Sequence, residues 1–323
     1  MPQSKNEDIA RRFLVDDLTG AGVPILERKW YYSIEIEPGR FTDGRNFSNI
    51  HLTRSALRNL SVKGLDCIDI GAMESLISIL LFRRGAGRLV AYDRLDLSER
   101  IGFLQEKLGV NFEYLCGFPL SELPGRLEGR AIFDVVMLSG VLYHMFDPLA
   151  GLLYARRLIR EGGIMIVETA AAISPEHEAY FNTRGELMGG DNFWALSVTC
   201  LDYLLRFARL KPLDCFYKGL KATKEFKWPL CRVCVPCLAV PGPPADEDDD
   251  WISRPQKPSF SEFLGSVDLS SQGRPEIPYS SPREGLVRRK DGSVKIYESI
   301  AALPESQISD QQEQVCLKIN ALY

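Results

Sequence analysis

Between residues 65 and 240 the chain alternates short apolar runs with segments of helical period. The runs at 65–70, 89–93, 112–116, 134–139 and 164–168 are strand-length and rich in Ile, Val and Leu, as expected of strands buried on both faces of a parallel sheet. Between the last two, Asp147 predicts a helix N-cap, Pro148 a first turn, and Leu149, Leu152, Leu153 and Ile159 an apolar stripe that Gly162 terminates. A further helix is predicted near 197–210, and the runs 213–218 and 231–240 are expected to pair as a hairpin. Five β–α alternations followed by an antiparallel pair make seven strands. The predicted fold class is α/β, a doubly wound, mostly parallel sheet with an antiparallel last strand.

Outside this region the pattern changes. Residues 4–19 predict an amphipathic helix with Ile9, Phe13 and Leu14 on one side, and residues 29–50 an aromatic-rich strand and loop with turns at Pro38-Gly39 and Asp43-Gly44. Residues 241–282 carry eight of the chain's 19 prolines beside the acidic run Asp246 to Asp250. Such a stretch buries too little apolar surface to offset the entropy of ordering, and reads as a linker or extended arm. The expected organisation is an N-terminal helix and aromatic cap over 1–50, a ligand-binding domain over 51–240, the linker over 241–282 and a C-terminal extension over 283–323.

Composition narrows the classes. With 323 residues, 45% hydrophobic and 25% charged, the chain has the balance of a globular protein. Its net charge of −4 provides no global field for nucleic acid or anionic lipid. No run reaches the roughly 20 apolar residues of a membrane span. The N-terminus lacks the apolar core of a secretory signal, so the eight cysteines are expected to be reduced thiols in a cytoplasmic protein. Cys231, Cys234 and Cys237 invite a zinc reading, but no second ligand pair stands nearby. In a strand, alternation sends Cys231 and Cys237 to one face and Cys234 to the other, so they read as small buried hydrophobes and no metal is expected. The acidic run lacks the glycine and spaced ligands of a calcium loop.

In an open α/β sheet, ligands bind beyond the carboxyl ends of the strands. The first strand runs through Asp69-Ile70-Gly71-Ala72-Met73-Glu74-Ser75, where Gly71 permits a sharp turn and close approach of a ligand to the backbone. Asp93, 22 residues after Gly71, ends the second strand, where a carboxylate suits both hydroxyls of a ribose. A dinucleotide site would show G-x-G-x-x-G for its pyrophosphate. Here one glycine is followed by Met73 and Glu74, which disfavours NAD or FAD and favours an adenosine-type cofactor with a cationic sulfonium and an amino-acid end. The plain alternative is a tight turn and an unrelated strand-end carboxylate.

With these features the sequence resembles the class I S-adenosylmethionine-dependent methyltransferases, a Rossmann-like family. The stretch Ser139-Gly140-Val141-Leu142-Tyr143-His144 through Asp147-Pro148-Leu149, Gly162-Gly163 leading to Ile166-Val167-Glu168-Thr169, and Asp191-Asn192-Phe193-Trp194 are similar to the tRNA wobble-uridine 5-hydroxyuridine methyltransferases and their small-molecule relatives. The lead-in with Trp30, Tyr31, Tyr32 and Pro38-Gly39 is similar too. The resemblance spans roughly residues 28–240. It implies that Asp69 and Gly71 line the methionine end, Met73 touches the cofactor, Asp93 binds the ribose, Gly117 and Phe118 flank the adenine, and Ser139 and Gly140 lie beneath the transferable methyl. The chain departs from the family at the turn, where Met73 and Ser75 replace two further glycines. The branch's carboxylated cofactor needs a cationic partner, and the sequence assigns none, so ordinary S-adenosylmethionine is the expected cofactor.

Methyl transfer is an in-line displacement that needs a positioned acceptor and often a base. His144, beyond the fourth strand, has a side chain suited to proton transfer near neutrality, either as that base or as a cap on the next helix. Tyr143 reads as a binding residue. Asn192 and Trp194 beyond the fifth strand, with Tyr32 from the N-terminal segment, make an aromatic wall for a flat organic substrate or simply pack that segment. The leading expectation is methyl transfer to a small molecule, a secondary metabolite or sugar. The alternatives are an RNA methyltransferase, against which the net charge weighs, and a non-catalytic Rossmann-like module that binds a partner.

Overall fold

A computed structural model of the protein describes residues 24–44, 50–127, 133–174, 176–182, 185, 187, 192–220, 226–241, 277–279, 287–288 and 294–295. The predicted helix at 4–19, the acidic run and Asp191 lie outside the described residues. Five strands run parallel in the order β5-β4-β3-β6-β7: β3 (Cys67–Ile70), β4 (Leu89–Asp93), β5 (Glu113–Cys116), β6 (Phe133–Ser139) and β7 (Ile159–Ala172). β12 (Leu230–Ala239) then pairs antiparallel with β7, from Leu230 opposite Ala172 to Leu238 opposite Ile164. On its outer side β12 takes β11 (Phe216–Leu220) along its first half and β10 (Leu210–Pro212) along its second. This is the doubly wound, mostly parallel α/β sheet that the hydrophobic pattern predicts.

The two faces of the sheet are covered separately. Cys67, Ala91, Val135, Met137 and Cys234 pack under α1 (His51–Leu57), α2 (Leu76–Arg83) and α3 (Ser98–Leu108). Ile68, Tyr92, Val136, Cys231 and Cys237 face α4 (Leu123–Arg126), α5 (Pro148–Arg156) and α6 (Val198–Phe207). The alternation expected of the three cysteines is therefore observed. Helix starts also follow the sequence, with Asp147 accepting from the Ala150 N–H at 2.9 Å and Ser197 accepting from Cys200 at 3.0 Å. Among the described residues, no helix is long and apolar enough to cross a membrane.

Two local readings are corrected. The helix after Pro148 ends at Arg156, and Ile159, Gly162 and Gly163 belong to β7. The register moves from Phe133–Ile159 to Val135–Ile164, so five steps on β7 match two on β6. Gly163 is required there because a Cβ would lie 2.7 Å from the Asp134 carbonyl oxygen; the glycine pair makes a bulge, not a helix stop. The expected 213–218 strand is also displaced. Pro236 accepts from the Leu213 N–H but has no N–H to return, so pairing breaks at 213–215 and divides that edge into β10 and β11.

Beyond the carboxyl edge, β8 (Ala179–Phe181) pairs with β9 (Trp194–Ser197), and β9 lies parallel to the end of β7. The N-terminal segment forms a small hairpin of β1 (Glu35–Glu37) and β2 (Arg40–Phe41) and buries Trp30, Tyr32, Ile34 and Ile36 in the α1–α3 layer. Within the proline-rich stretch, Ile277 is buried and its N–H donates to the Gly162 carbonyl at the β7 bulge, while Tyr279 bridges to Leu60. In the C-terminal extension, β13 (Val287–Arg288) pairs with β14 (Val294–Lys295).

Candidate active site

The turn after β3 is built on strained backbone. Gly71 has φ +77°, and a Cβ there would stand 2.3 Å from Val141 Cγ2, so only glycine lets this turn meet the loop after β6. Met73 and Ser75, at the places where the resembling family has glycines, have φ +50° and +56°. The chain keeps a left-handed backbone there at a cost of roughly 1–2 kcal/mol per residue. Asp69 is 1% exposed. Its Oδ2 accepts from Ser78 Oγ at 2.7 Å, and its Oδ1 has no hydrogen-bond partner among the described residues. Burial, opposed by Ser78 and aided by the nearby charge of Asp93, pushes its carboxyl up to about 7. Asp93 ends β4 and accepts from the Met73 N–H at 2.7 Å and the Leu95 N–H at 2.9 Å. Burial raises its pKa, while those two amides and the charges of Arg94 and His144 pull it down.

Glu74 corrects one inference from the sequence. Its carboxylate is not presented to a ligand in the turn. It is buried, accepts from the Tyr31 and Tyr32 N–H groups at 2.8 and 2.7 Å, and pairs with buried Arg100 at 2.8 Å. Arg100 lies over the Trp30 ring. Trp30 donates to the Ile25 carbonyl and packs near Phe103, so it is part of the core and not a lid. Tyr32 stands at the inner side of the site. Its phenol is raised by burial and by the neighbouring Tyr31, Asp69, Glu74 and Tyr143, which brings the N-terminal segment to the residues of the β3 and β6 ends.

At the end of β6, Ser139 Oγ lies 3.1 Å from Thr53 Oγ1 of α1, and Gly140, at φ +76°, donates to the Glu168 carbonyl at 2.9 Å. A pair that the sequence reading missed, buried Glu168 with the partly buried Arg232, sits beside them. Arg232 of β12 binds Glu168 of β7 through Nε and Nη2 and lies over the Tyr143 ring at 4.6 Å. Burial opposes its charge, but Glu168 and Tyr143 hold it protonated. The signal was present, since each is the lone charge in an otherwise uncharged apolar stretch, 164–172 for Glu168 and 230–239 for Arg232. His144 is exposed, 4.2 Å from Tyr143 between ring centroids. It does not cap the following helix, because Asp147 does.

Gly117, at φ +80°, follows β5 with nothing within 4 Å of where its Cβ would be, and Phe118 packs on Tyr92, which donates to the Phe118 carbonyl. These stand on the far side of Asp93 from Asp69, in the order that the sheet dictates. Across the site, Asn192 is buried with its carbonyl accepting from Asn182 Nδ2, and half-buried Trp194 donates from Nε1 to the Phe146 carbonyl at 2.8 Å. Among the described residues, no cluster of three or more His, Cys, Asp or Glu side chains is placed to hold a metal.

The fold is a doubly wound, Rossmann-like sheet with one antiparallel strand, β12, beside β7. No family model matches the chain. It is similar to the tRNA U34 carboxymethyltransferase of Pseudomonas fluorescens, 27% identical over 169 residues, 52% of each chain. It is also similar to that of Ectopseudomonas mendocina, 29% identical over 162 residues, 49% of this chain and 48% of that one. The match thus spans about half the length of these curated relatives. Among solved structures, it is similar to the N-terminal domain of EvdMO1 with SAH bound, with TM-score 0.47 and 18% identity over 73% of this chain and 98% of that one. Another is CrArsM, an arsenic (III) S-adenosylmethionine methyltransferase from Chlamydomonas reinhardtii, with TM-score 0.43 and 16% identity over 57% of this chain and 66% of that one.

Proposed function

We propose that the protein is an S-adenosylmethionine-dependent methyltransferase acting on a small-molecule acceptor. The observation that carries this reading is Asp69, a buried carboxylate with one oxygen unpartnered at a glycine turn, which suits a cationic amino-acid end far better than a phosphate. Asp93, already aligned by two backbone amides, has acceptor capacity left for ribose hydroxyls. The open space at Gly117 beside Phe118 suits adenine, and Ser139 with Gly140 suits the methyl-bearing centre. When bound, the cofactor supplies a methyl group on an electrophilic sulfonium. The chain's own residues hold the acceptor in line and exclude water, with Tyr32, Tyr143, Asn192 and Trp194 around it. His144 accepts the acceptor's proton, since it is exposed at the edge beside Tyr143.

A second reading, an RNA acceptor, draws support from the relatives named tRNA U34 carboxymethyltransferase. The net charge of −4 favours the small molecule. Calorimetric titration with S-adenosylmethionine and S-adenosylhomocysteine, followed by transfer of a labelled methyl to small-molecule extract or bulk tRNA, tests both. Saturable binding and a labelled small molecule are expected. Absence of binding by the folded protein refutes the enzyme reading, and labelled tRNA alone selects the second.

A further inference from the structure

We propose that Phe146, Phe181 and Phe193, with Trp194 beneath them, form a stacking platform for a planar aromatic ring of the acceptor. This rests on the methyltransferase reading and names the substrate class for it. The three phenylalanines are 69%, 43% and 40% exposed and are the large hydrophobic side chains left open to solvent among the described residues. They come from three segments: the loop after β6, β8, and the residue before β9. All meet at one place. Phe146 is edge-to-face with Phe181 at 5.9 Å and with Phe193 at 5.8 Å, Phe181 and Phe193 are nearly parallel at 11°, and Trp194 lies 4.6 Å from Phe181. Scattered exposed apolar residues need no explanation, but a contiguous exposed patch marks an interaction site.

Its position ties it to the reacting edge. The Phe193 N–H donates to the Tyr143 carbonyl at 2.8 Å, and Trp194 Nε1 donates to the Phe146 carbonyl at 2.8 Å. The platform is therefore bonded to both ends of the four-residue stretch Tyr143 to Phe146, which carries His144. A ring stacked there is held next to the group assigned as base. Charge selects between a neutral ring and a polyanion. Among the described residues, cations sit over Phe118, Phe133, Trp30, Trp228 and Tyr143 and none over Phe146, Phe181 or Phe193, and the residue after Phe146 is the exposed carboxylate Asp147. A nucleic acid would need cations at such a stacking surface; a small neutral aromatic does not.

The test is calorimetric binding of 2-naphthol and its saturated counterpart, decahydro-2-naphthol, to the full chain. It is run for the wild type, Phe146→Ser/Phe193→Ser and Phe146→Tyr, each also titrated with S-adenosylhomocysteine. Expected are about tenfold tighter binding of the planar ring than of the saturated one, loss of that difference in the double variant, and its retention in Phe146→Tyr. S-adenosylhomocysteine binding stays within about twofold in all three, since the platform lies outside the cofactor turn. Equal binding of the planar and saturated probes, or an undiminished preference in the double variant, overturns the platform. Binding of oligouridine that the double variant loses, without naphthol binding, overturns the small-molecule assignment. Platform-dependent naphthol binding without any S-adenosylhomocysteine binding overturns the methyltransferase reading and hence the acceptor role, while the ring site itself stands.

Discussion

Replacing Asp69 by Asn should make the protein more stable and its proposed cofactor weaker, with a defined dependence on pH. Asp69 is 1% exposed, and burial pushes it from the ordinary 3.8 to about 7. That displacement corresponds to about 4 kcal/mol of unfavourable free energy when the group is ionised. The folded chain holds this proton between pH 3.8 and about 7, where the unfolded chain has released it. Stability from this group is therefore greatest near pH 4, falls as pH rises to 7, and is level above. Asn carries no charge and keeps the shape beside Ser78, so the variant lacks this slope. Urea unfolding of both proteins at intervals from pH 5 to 8.5 should show the variant's advantage growing toward about 4 kcal/mol and then levelling, with other groups cancelling in the difference. The same charge should serve binding. S-adenosylhomocysteine carries an ammonium that favours ionised Asp69, so wild-type affinity should rise about tenfold per pH unit up to 7 and flatten above. The variant should bind about 10–100-fold more weakly at pH 8. Parallel stability profiles for the two proteins, or undiminished binding by the variant, would refute the reasoning.

Three other substitutions test the frame of the site. Glu74→Gln removes the carboxylate that pairs with the buried Arg100 guanidinium, and should cost about 3 kcal/mol in urea unfolding with a changed near-ultraviolet signal from Trp30; an unchanged midpoint contradicts the assignment. Ser75→Gly relieves a left-handed φ of +56° and removes a buried hydroxyl that has no hydrogen-bond partner among the described residues. A gain of about 1 kcal/mol is expected by scanning calorimetry, and a lowered Tm counts against it. Gly71→Ala places a Cβ 2.3 Å from Val141 Cγ2 at φ +77°. It should cost about 3 kcal/mol and abolish S-adenosylhomocysteine binding, with Val141→Ala in the same chain restoring part of the stability.

The central strands were legible because they are buried on both faces, so apolar residues dominate 67–70, 89–93 and 133–139, with Asp69, Asp93 and Asp134 the charged exceptions. Asp147 was equally readable as a cap, since capping is a local interaction. What failed depended on partners distant in sequence. Gly162-Gly163 looks like a helix stop until β6 is laid beside it and the Asp134 carbonyl is seen to occupy the space of a Cβ. The division of β10 from β11 follows from Pro236, some 20 residues further on, which cannot donate across the edge. Asp69 and Asp93 were singled out because strand ends lie on the ligand edge by construction. Arg232 was obscured by the three cysteines around it, and its partner Glu168 stands 64 residues earlier.

Glu74 was misread because sequence gives a turn's composition but not the direction of its side chains. It stands between two residues in left-handed conformation, Met73 and Ser75, and that geometry carries its carboxylate into the core. The same arrangement explains how the turn holds its shape without glycines at 73 and 75. Two strained residues cost roughly 1–2 kcal/mol each. Against this, Glu74 accepts from two backbone amides and pairs with Arg100, and charged hydrogen bonds of this kind contribute about 1.5–3 kcal/mol apiece. Conformational freedom at glycine is replaced by an anchor to the Tyr31-Tyr32 backbone. The turn's geometry is thereby made dependent on the N-terminal segment, which also brings Tyr32 to Asp69 and Tyr143. A chain with glycines at 73 and 75 would fold this turn from local preference alone. In this one the turn is anchored to the Tyr31-Tyr32 backbone, so loosening that segment should weaken binding of the proposed cofactor even though Glu74 itself does not face the ligand edge.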